Sequence, residues 1–151
     1  MAPPPLAFIK DIKQMKDNNF LVTIEKDTDG TFIAYNVDES PYTLIGRGVT
    51  VKEAKADFAN SMQEVKASEE EREGAAAPIL SAVPVFSFDL SSLFEYYSML
   101  NVSAFARYLG INETLMRQYK KGNTYISDVQ LQKIEDGLHR LGSDFLGLRL
   151  V

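Results

Sequence analysis

Residues 101–121, NVSAFARYLGINETLMRQYKK, have the spacing of a helix-turn-helix. Apolar or small residues recur with a helical period on both sides of Gly110. Gly110 follows the first run of eight residues, at the position where a residue in the left-handed conformation would end a helix. Asn112 is a good N-cap for a second helix. The positions expected to face inward are Val102, Phe105, Ala106, Leu109, Ile111, Leu115, Met116 and Tyr119. The alternative is an ordinary helical hairpin.

The second helix would turn a polar face outward, as a helix in a DNA major groove must. The predicted DNA-binding residues are Asn112, Glu113, Thr114, Arg117, Gln118, Lys120, Lys121 and Asn123. We expect Arg117 and Gln118 to read base edges. Phosphate contacts are expected from Thr114, Lys120, Lys121 and Asn123. Glu113 either accepts from cytosine or supports the helix N-terminus, and Arg107 is expected to make a surface or backbone contact.

Charge is divided unevenly along the chain, whose net charge is −5. Residues 1–89 hold nine Lys or Arg against fifteen Asp or Glu, giving −6, whereas residues 90–151 hold seven against six, giving +1. A mildly basic region can bind nucleic acid beside a distant acidic one because salt screens charges over about 10 Å. The weak positive charge predicts a homo-oligomer, a dimer or a tetramer, that places two copies on one symmetric double-stranded DNA site.

Composition narrows the class of protein. The 151 residues are 45% apolar, enough for one ordinary domain or two small ones. The absence of cysteine excludes a disulfide framework and a thiolate metal site. No basic-apolar signal segment is present, so we expect a cytoplasmic location, and no apolar run approaches the roughly 20 residues of a membrane span.

The first half of the chain predicts a β-β-β-α unit. FLVTIEK (20–26) and TFIAYNV (31–37) are rich in β-branched and aromatic residues and flank a DTDG turn, a hairpin pattern. Residues 42–49 suggest a third strand, which its two glycines would weaken. Thr50 and Glu53 form a capping box for a helix with apolar positions Ala54, Phe58, Met62 and Val65. One helix covers one face of strand two; a later segment, another copy or a different protein would cover the other.

The predicted fold class is α+β, the first domain being followed by a small all-α helix-turn-helix domain. The predicted segments are an N-terminal extension (1–17, with residues 1–14 dispensable), an α+β domain (18–67), a linker (68–83) and the helical domain (84–151). The charge run in the linker is either a solvated helix end or an acidic docking site.

Within 84–151 we expect four helices and a strand at 84–88, with Asp89 and Ser127 as N-caps. Gln130 lies in the capping-box position after Ser127. Gly142 would end the last helix, and residues 145–151 would form a strand beside 84–88. The predicted core positions of that last helix are Leu131, Ile134, Leu138 and Leu141.

Residues 18–150 contain a series of motifs whose order along the chain resembles that of the HicB-type antitoxins of HicA/HicB toxin-antitoxin pairs. The resemblance is to the variety with an appended Cro/repressor-like helix-turn-helix. The motifs are IEKDTDGTFIAY, GVTVKEAKADF, FDLSSLFEYY, ARYLGIN, YKKGN and LQKIEDGLHRLG. The resemblance implies a partial ribonuclease-H-like first domain that binds a small HicA-type, mRNA-cleaving toxin, and a second domain that represses the operon's own promoter. Two segments depart from the family pattern. DESPYTLIGRG is longer and differently spaced, and KKGNTYIS lacks the usual arginine or proline.

No enzymatic activity and no cofactor is expected from these residues. Metal-dependent cleavage would need several converging carboxylates, whereas Asp27 and Asp29 flank a turn that favours aspartate for local hydrogen bonds. His139 is the single histidine and is expected to be structural. Two functions therefore remain: an autoregulating antitoxin, or a stand-alone transcriptional regulator whose HicB-like domain serves oligomerisation or sensing.

Overall fold

The computed structural model describes residues 20–37 and 41–151. Over these ranges the chain is an α+β protein with a four-stranded mixed sheet and five α-helices. The described residues divide into two compact units, the first comprising residues 20–37 and 41–98 and the second residues 99–151. The predicted extension at residues 1–17 lies outside the described residues. Among those described, no helix is long and apolar enough to cross a membrane.

The first unit is a sheet covered on one face by helices. Its elements, in chain order, are β1 (Leu21–Lys26), β2 (Phe32–Asn36), β3 (Ile45–Gly48), α1 (Val51–Glu73), a 3-10 helix (Pro78–Ser81), β4 (Val85–Phe88) and α2 (Leu90–Tyr96). The strand order is β3-β2-β1-β4, in which β2 is antiparallel to both of its neighbours and β4 is parallel to β1. The predicted order of three strands and a helix is confirmed, and a fourth strand completes the sheet.

The hairpin between β1 and β2 is set by its turn. The Asp27 N–H donates to the Thr31 carbonyl at 2.7 Å, and Gly30 has a φ of 85°, which glycine adopts without steric cost. This closure places Ile24 opposite Ala34. Because side chains alternate along a strand, the register puts the buried residues Val22 and Ile24 of β1 on the same face as Phe32 and Ala34 of β2.

Helix α1 covers that face. The Glu53 N–H donates to Thr50 Oγ1 at 3.1 Å, and the Glu53 carboxylate accepts from the Thr50 N–H at 3.3 Å, so the predicted capping box is present. Three of the four predicted apolar positions are buried, and Val65 is half-buried. The buried core of this unit consists of Phe20, Val22, Ile24, Phe32, Ala34, Leu44, Val51, Ala54, Phe58, Met62 and Leu80.

The two glycines of β3 allow α1 to lie close to the sheet. A Cβ on Gly46 would collide with the backbone of α1 at Ala54 and Phe58, and one on Gly48 would collide with Glu53 and Ala54. The role of these glycines is therefore not limited to weakening the strand. They make possible the backbone approach on which the core depends.

The boundary between the units differs from the one predicted. Helix α1 continues to Glu73, which places residues 68–73 in a helix rather than in the linker 68–83. The strand expected at 84–88 forms, but it pairs with β1 of the first unit, and α2, capped by Asp89 as predicted, follows it. The free backbone edge of β1 supplies the partners of β4: the Phe20 carbonyl accepts from the Val85 N–H at 2.9 Å. The helical unit accordingly begins at residue 99 rather than 84.

The second unit contains three α-helices in its described residues, not the four expected: α3 (Val102–Leu109), α4 (Glu113–Lys121) and α5 (Asp128–Leu146). Its buried residues include Phe105, Ala106, Leu109, Ile111, Met116, Tyr119 and Ile134. Ser127 caps α5 as predicted, accepting from the Gln130 N–H at 3.2 Å.

Helix α5 departs from the sequence-based expectation in two ways. It runs through Gly142 to Leu146, and residues 147–151 form no strand. Of its four predicted core residues only Ile134 is buried, whereas Leu131 is exposed and the other two are half-buried. Among the described elements α3 is the main packing neighbour of α5, and most apolar side chains of α5 are exposed or half-buried.

Candidate nucleic-acid interface

Helices α3 and α4 are joined by a three-residue turn, Gly110–Asn112. Asn101 Oδ1 accepts from the Ala104 N–H at 2.9 Å at the start of α3, and Asn112 Oδ1 accepts from the Leu115 N–H at 3.0 Å at the start of α4. Gly110 ends α3 with a φ of 71°. Both helix starts and the reversal between them are therefore fixed by local chemistry.

The inner faces of the two helices make one packed corner. Ile111 is buried in the turn, as are Met116 and Tyr119 on α4, while Leu115 is half-buried. Since these residues hold α4 against α3, the remaining face of α4 is left to solvent. The predicted DNA-binding residues Thr114, Arg117 and Gln118 are exposed on it.

Arg117 is held in place although it is exposed. Its Nη1 donates to Ser103 Oγ at 2.8 Å, and its Nη2 donates to Thr114 Oγ1 at 3.1 Å. Ser103 lies on the first turn of α3, so the contact joins the outer surfaces of both helices. Sequence reasoning missed the role of Ser103 because the contact spans fourteen positions and a serine at a helix start usually serves as a cap.

Glu113 and Arg107 form an ion pair between the start of α4 and the last turn of α3. The negative carboxylate lies at the N-terminal, positive end of the α4 dipole, and the guanidinium lies near the C-terminal end of α3, so each charge suits its helix end. Of the two roles expected for Glu113, support of the helix N-terminus matches this geometry. Arg107 has a partner within the protein.

The other predicted contacts cluster at the C-terminal end of α4. Lys120 and Lys121 occupy its last turn, Gly122 ends it with a φ of 83°, and Asn123 follows in an exposed position. Tyr125, which sequence reasoning missed, has 86% of its surface exposed in the same loop. The sequence did contain a signal for this residue, a tyrosine that follows two lysines, a glycine and an asparagine. Tyrosine hydroxyls commonly contact phosphate, so this pattern predicts a further phosphate contact.

The structural boundary sharpens the division of charge. Counted from the sequence, residues 20–98 contain six Lys or Arg and fourteen Asp or Glu, a net charge of −8. Residues 99–151 contain seven and five, a net charge of +2. The unit that carries the exposed α4 face is therefore the one that a polyanion would approach.

Asp27 and Asp29, the two carboxylates weighed above as metal ligands, form hydrogen bonds within and beside the hairpin turn. Asp27 accepts from the Thr28 N–H and from Arg47 Nη1, at 2.7 and 3.1 Å. Asp29 accepts from Thr31, and the Thr31 hydroxyl chiefly lowers the pKa of Asp29 from its ordinary value. In the described part of the chain, no three His, Cys, Asp or Glu side chains are grouped so as to hold a metal ion.

Of the remaining predicted features, His139 is exposed on α5, and its Nε2 lies 3.8 Å from a carboxylate oxygen of Glu135. In the acidic run, Glu69 accepts from the Tyr42 hydroxyl and from the Ala77 N–H. Glu69 therefore fastens the end of α1 to two other segments, while Glu70, Glu71 and Glu73 are exposed.

One face of the sheet in the first unit is not covered by any described helix. Ile33 and Tyr35 are half-buried on it, and Val37 and Ile45 are exposed. Tyr35 lies opposite Ile45, and its hydroxyl donates to Glu25 at 2.9 Å. Among the described residues this face, unlike the one under α1, presents apolar side chains together with acidic ones.

Comparisons of the chain with protein-family models, with curated proteins and with solved structures gave no match.

Proposed function

We propose that the protein is a regulator that binds double-stranded DNA through the α3–α4 helix pair, acting as a helix-turn-helix. The observation that carries this proposal is the tethered position of Arg117, which is exposed on α4 and held by Ser103 and Thr114. An arginine whose rotamer is already fixed loses less entropy when it binds, a property useful for reading a base.

The geometry of Arg117 favours guanine. A guanidinium has five N–H donors, and the two hydroxyls engage one donor on each terminal nitrogen. The remaining donors can form the paired hydrogen bonds to guanine O6 and N7 that arginine makes in the major groove. Gln118, the next exposed residue of α4, is proposed as the second base reader, with adenine as its preferred partner.

Phosphate contacts would flank this reading surface. Thr114 and Asn112 lie at the N-terminal end of α4, and Lys120, Lys121 and Asn123 lie at its other end, where Tyr125 adds a hydroxyl. Glu113 is assigned to orienting α4 through its ion pair with Arg107 rather than to a base contact. A binding surface with two phosphate-contacting ends sets the register of the helix on the duplex.

The experiment is a gel-shift titration of the full chain against a pool of duplexes with a randomised core. We expect Arg117→Ala combined with Lys121→Ala to weaken binding to the selected duplex by about 100-fold, through one bidentate base contact and one phosphate contact. The matched control is Lys52→Ala combined with Lys133→Ala, which removes the same charge from exposed positions outside the helix pair. Equal effects of the two double variants would overturn the assignment.

For the first unit we propose a HicB-like, partial ribonuclease-H-like arrangement that binds a small basic protein, with a HicA-type toxin as the partner that the sequence resemblance implies. The order of three antiparallel strands, a helix and a strand parallel to the first supports this arrangement. The net charge of −8 and the uncovered sheet face with Ile33 and Ile45 favour a basic partner with apolar contact residues.

This second part is tested by co-expressing the chain with the product of a neighbouring reading frame that encodes a small basic protein. Co-purification should be lost with Ile33→Asp and retained with Val83→Asp, since Val83 is an exposed apolar residue of the same unit outside the sheet. If no such frame exists, or if Ile33→Asp still co-purifies, the antitoxin function fails. DNA binding without a toxin would instead identify a stand-alone regulator.

A further inference from the structure

Thr114 lies on the exposed face of α4 with its hydroxyl oxygen in a hydrogen bond. It is the second residue of the helix, and its Oγ1 accepts from Arg117 Nη2 at 3.1 Å. The Cβ of threonine carries one hydroxyl and one methyl group, and a β-branched side chain occupies few χ1 rotamers. Fixing the oxygen therefore also fixes the γ-methyl group beside the guanidinium of Arg117.

This methyl group differs chemically from the other groups on the exposed face of α4. The exposed residues of the helix are Thr114, Arg117, Gln118, Lys120 and Lys121, and Thr114 is the only one of them with a methyl group. The other four side chains end in an amide or a positive charge. The reading surface therefore offers one methyl contact, at a position that the protein itself fixes.

We infer that Thr114 recognises thymine, and that the A·T pair it reads lies next to the guanine proposed for Arg117. Thymine presents a methyl group in the major groove, and the threonine methyl is one of the apolar groups that contact it. Residues three apart on a helix have Cβ atoms about 5–6 Å apart, and stacked base pairs are about 3.4 Å apart, so two such side chains reach neighbouring base pairs. The inference rests on the proposed function of α4.

The bond to Arg117 also determines how Thr114 distinguishes bases. A threonine that reads by hydrogen bonding accommodates several bases, because its hydroxyl both donates and accepts. In this protein the Thr114 oxygen accepts from Arg117, and its O–H proton remains for the phosphate contact proposed above. The methyl group is left for base recognition, so discrimination should follow the thymine methyl rather than a hydrogen-bonding pattern.

The alternative for Thr114 is a supporting role alone. In that case its hydroxyl would hold Arg117 in place, as Ser103 Oγ does at 2.8 Å from the other terminal nitrogen, and its methyl group would contribute nothing. Thr114→Ser separates the two roles, because serine retains the hydroxyl and lacks the methyl group. Uracil makes the same change in the DNA, since it is thymine without the 5-methyl group and pairs with adenine in the same way.

The test is a double-mutant cycle, measured by fluorescence anisotropy with the full chain and the duplex selected from the randomised pool. The guanine read by Arg117 is the one whose replacement by 7-deazaguanine, which lacks the N7 acceptor, weakens binding of the parent but not of Arg117→Ala. Uracil then replaces the adjacent thymine. We expect this change to weaken binding of the parent by about 4-fold, as expected for one buried methyl group, and binding of Thr114→Ser by less than about 1.5-fold.

Matched controls accompany the cycle. Thr28→Ser makes the same chemical change at an exposed threonine of the β1–β2 turn, and it should retain the about 4-fold effect of uracil. Uracil at a thymine in the flanking sequence of the duplex should change the dissociation constant by less than about 1.5-fold. Thr114→Ser should retain the full effect of 7-deazaguanine, because its hydroxyl still holds Arg117.

An effect of uracil on the parent that disappears in Thr114→Ser supports the inference. Equal effects of uracil on the two proteins, or a selected duplex with no A·T pair beside that guanine, would overturn it while leaving DNA reading by Arg117 intact. If no duplex is selected, or if no effect of 7-deazaguanine depends on Arg117, the proposed function fails and the inference fails with it.

Discussion

The two units of this chain treat their apolar surface differently. The larger unit, residues 20–98, exposes five of the fifteen exposed large apolar residues among those described, and the smaller unit, residues 99–151, exposes ten. In the first unit, α1 covers a sheet whose glycines make room for it. In the second, α5 buries Ile134 and Gly137 and leaves most of its other apolar side chains uncovered.

Among the described residues, the first unit therefore covers its apolar side chains more completely than the second. Small units bury a smaller fraction of their surface and often depend on association. The unit that carries the proposed DNA-reading helix is thus the one that exposes more of the large apolar side chains. The acidic unit buries a continuous apolar core under α1.

The largest expected effect contrasts two phenylalanines. Phe58→Ala removes a side chain that is 1% exposed in the core of the first unit, and we expect a loss of about 3–5 kcal/mol of unfolding free energy. Phe145→Ala removes an exposed ring, and in the monomer we expect a change within about 0.5 kcal/mol. Chemical denaturation followed by circular dichroism, at concentrations where the chain is monomeric, measures both. Similar losses would abolish the distinction between the units.

The second prediction concerns the close approach of α1 to β3. Gly46→Ala should lower the unfolding free energy by about 3 kcal/mol, because its Cβ meets helix backbone, which cannot move aside as a side chain can. Gly142→Ala in the monomer should instead raise it by up to about 1 kcal/mol. Thermal unfolding of the two variants gives the comparison. A stabilising Gly46→Ala would contradict the close approach of α1 to β3.

The third prediction compares the free energies of unfolding lost when two helix N-caps are removed. Asp89 accepts from the Ser92 N–H at 2.8 Å and from the Lys26 N–H at 3.0 Å, so it both starts α2 and fastens the end of β1. Asp89→Ala should cost about 2 kcal/mol, and Ser127→Ala, which removes one capping bond of α5, about 1 kcal/mol. Urea unfolding measures both. Equal losses would mean that the bond to Lys26 contributes nothing.

The smallest effect is a pH dependence confined to the first unit. The hydrogen bond between Tyr42 and Glu69 lowers the pKa of Glu69 and raises the pKa of Tyr42. The Glu69 contribution is therefore present above the ordinary glutamate value of about 4.3 and lost as pH falls, and the tyrosine contribution is present below about 10 and lost as pH rises.

Tyr42→Phe should accordingly lower the midpoint temperature between those two pH limits and converge with the parent chain at both extremes. Thermal unfolding at a series of pH values measures this difference. A difference that stays constant at every pH would assign the effect to packing rather than to the hydrogen bond.

The features that sequence predicted are those decided by neighbouring residues. The DTDG hairpin, the Thr50–Glu53 capping box, and the caps at Asn112 and Ser127 depend on contacts within a few positions. The parallel pairing of β4 with β1 joins segments more than sixty residues apart, and local pattern cannot distinguish it from a strand of the helical unit. Because of this pairing, the boundary predicted at residue 84 lies before the observed boundary at residue 99.

In the candidate site, too, the features that depend on neighbouring residues were predictable and those that depend on distant contacts were not. The exposed face of α4 was predictable from helical period, whereas the hold of Ser103 on Arg117 and the pairing of Arg107 with Glu113 depend on the angle between two helices. The period of Leu131, Leu138 and Leu141 on α5 predicts core positions, but periodicity shows only that residues share a helix face and does not show what covers that face.

The most direct test of DNA reading by α4 is amide hydrogen exchange of the full chain with and without the duplex selected from a randomised pool. The predicted result is new protection in the first turn of α3 and across residues 112–125, with β1, β2 and β3 unchanged. Protection of the sheet with none on α4 would contradict it.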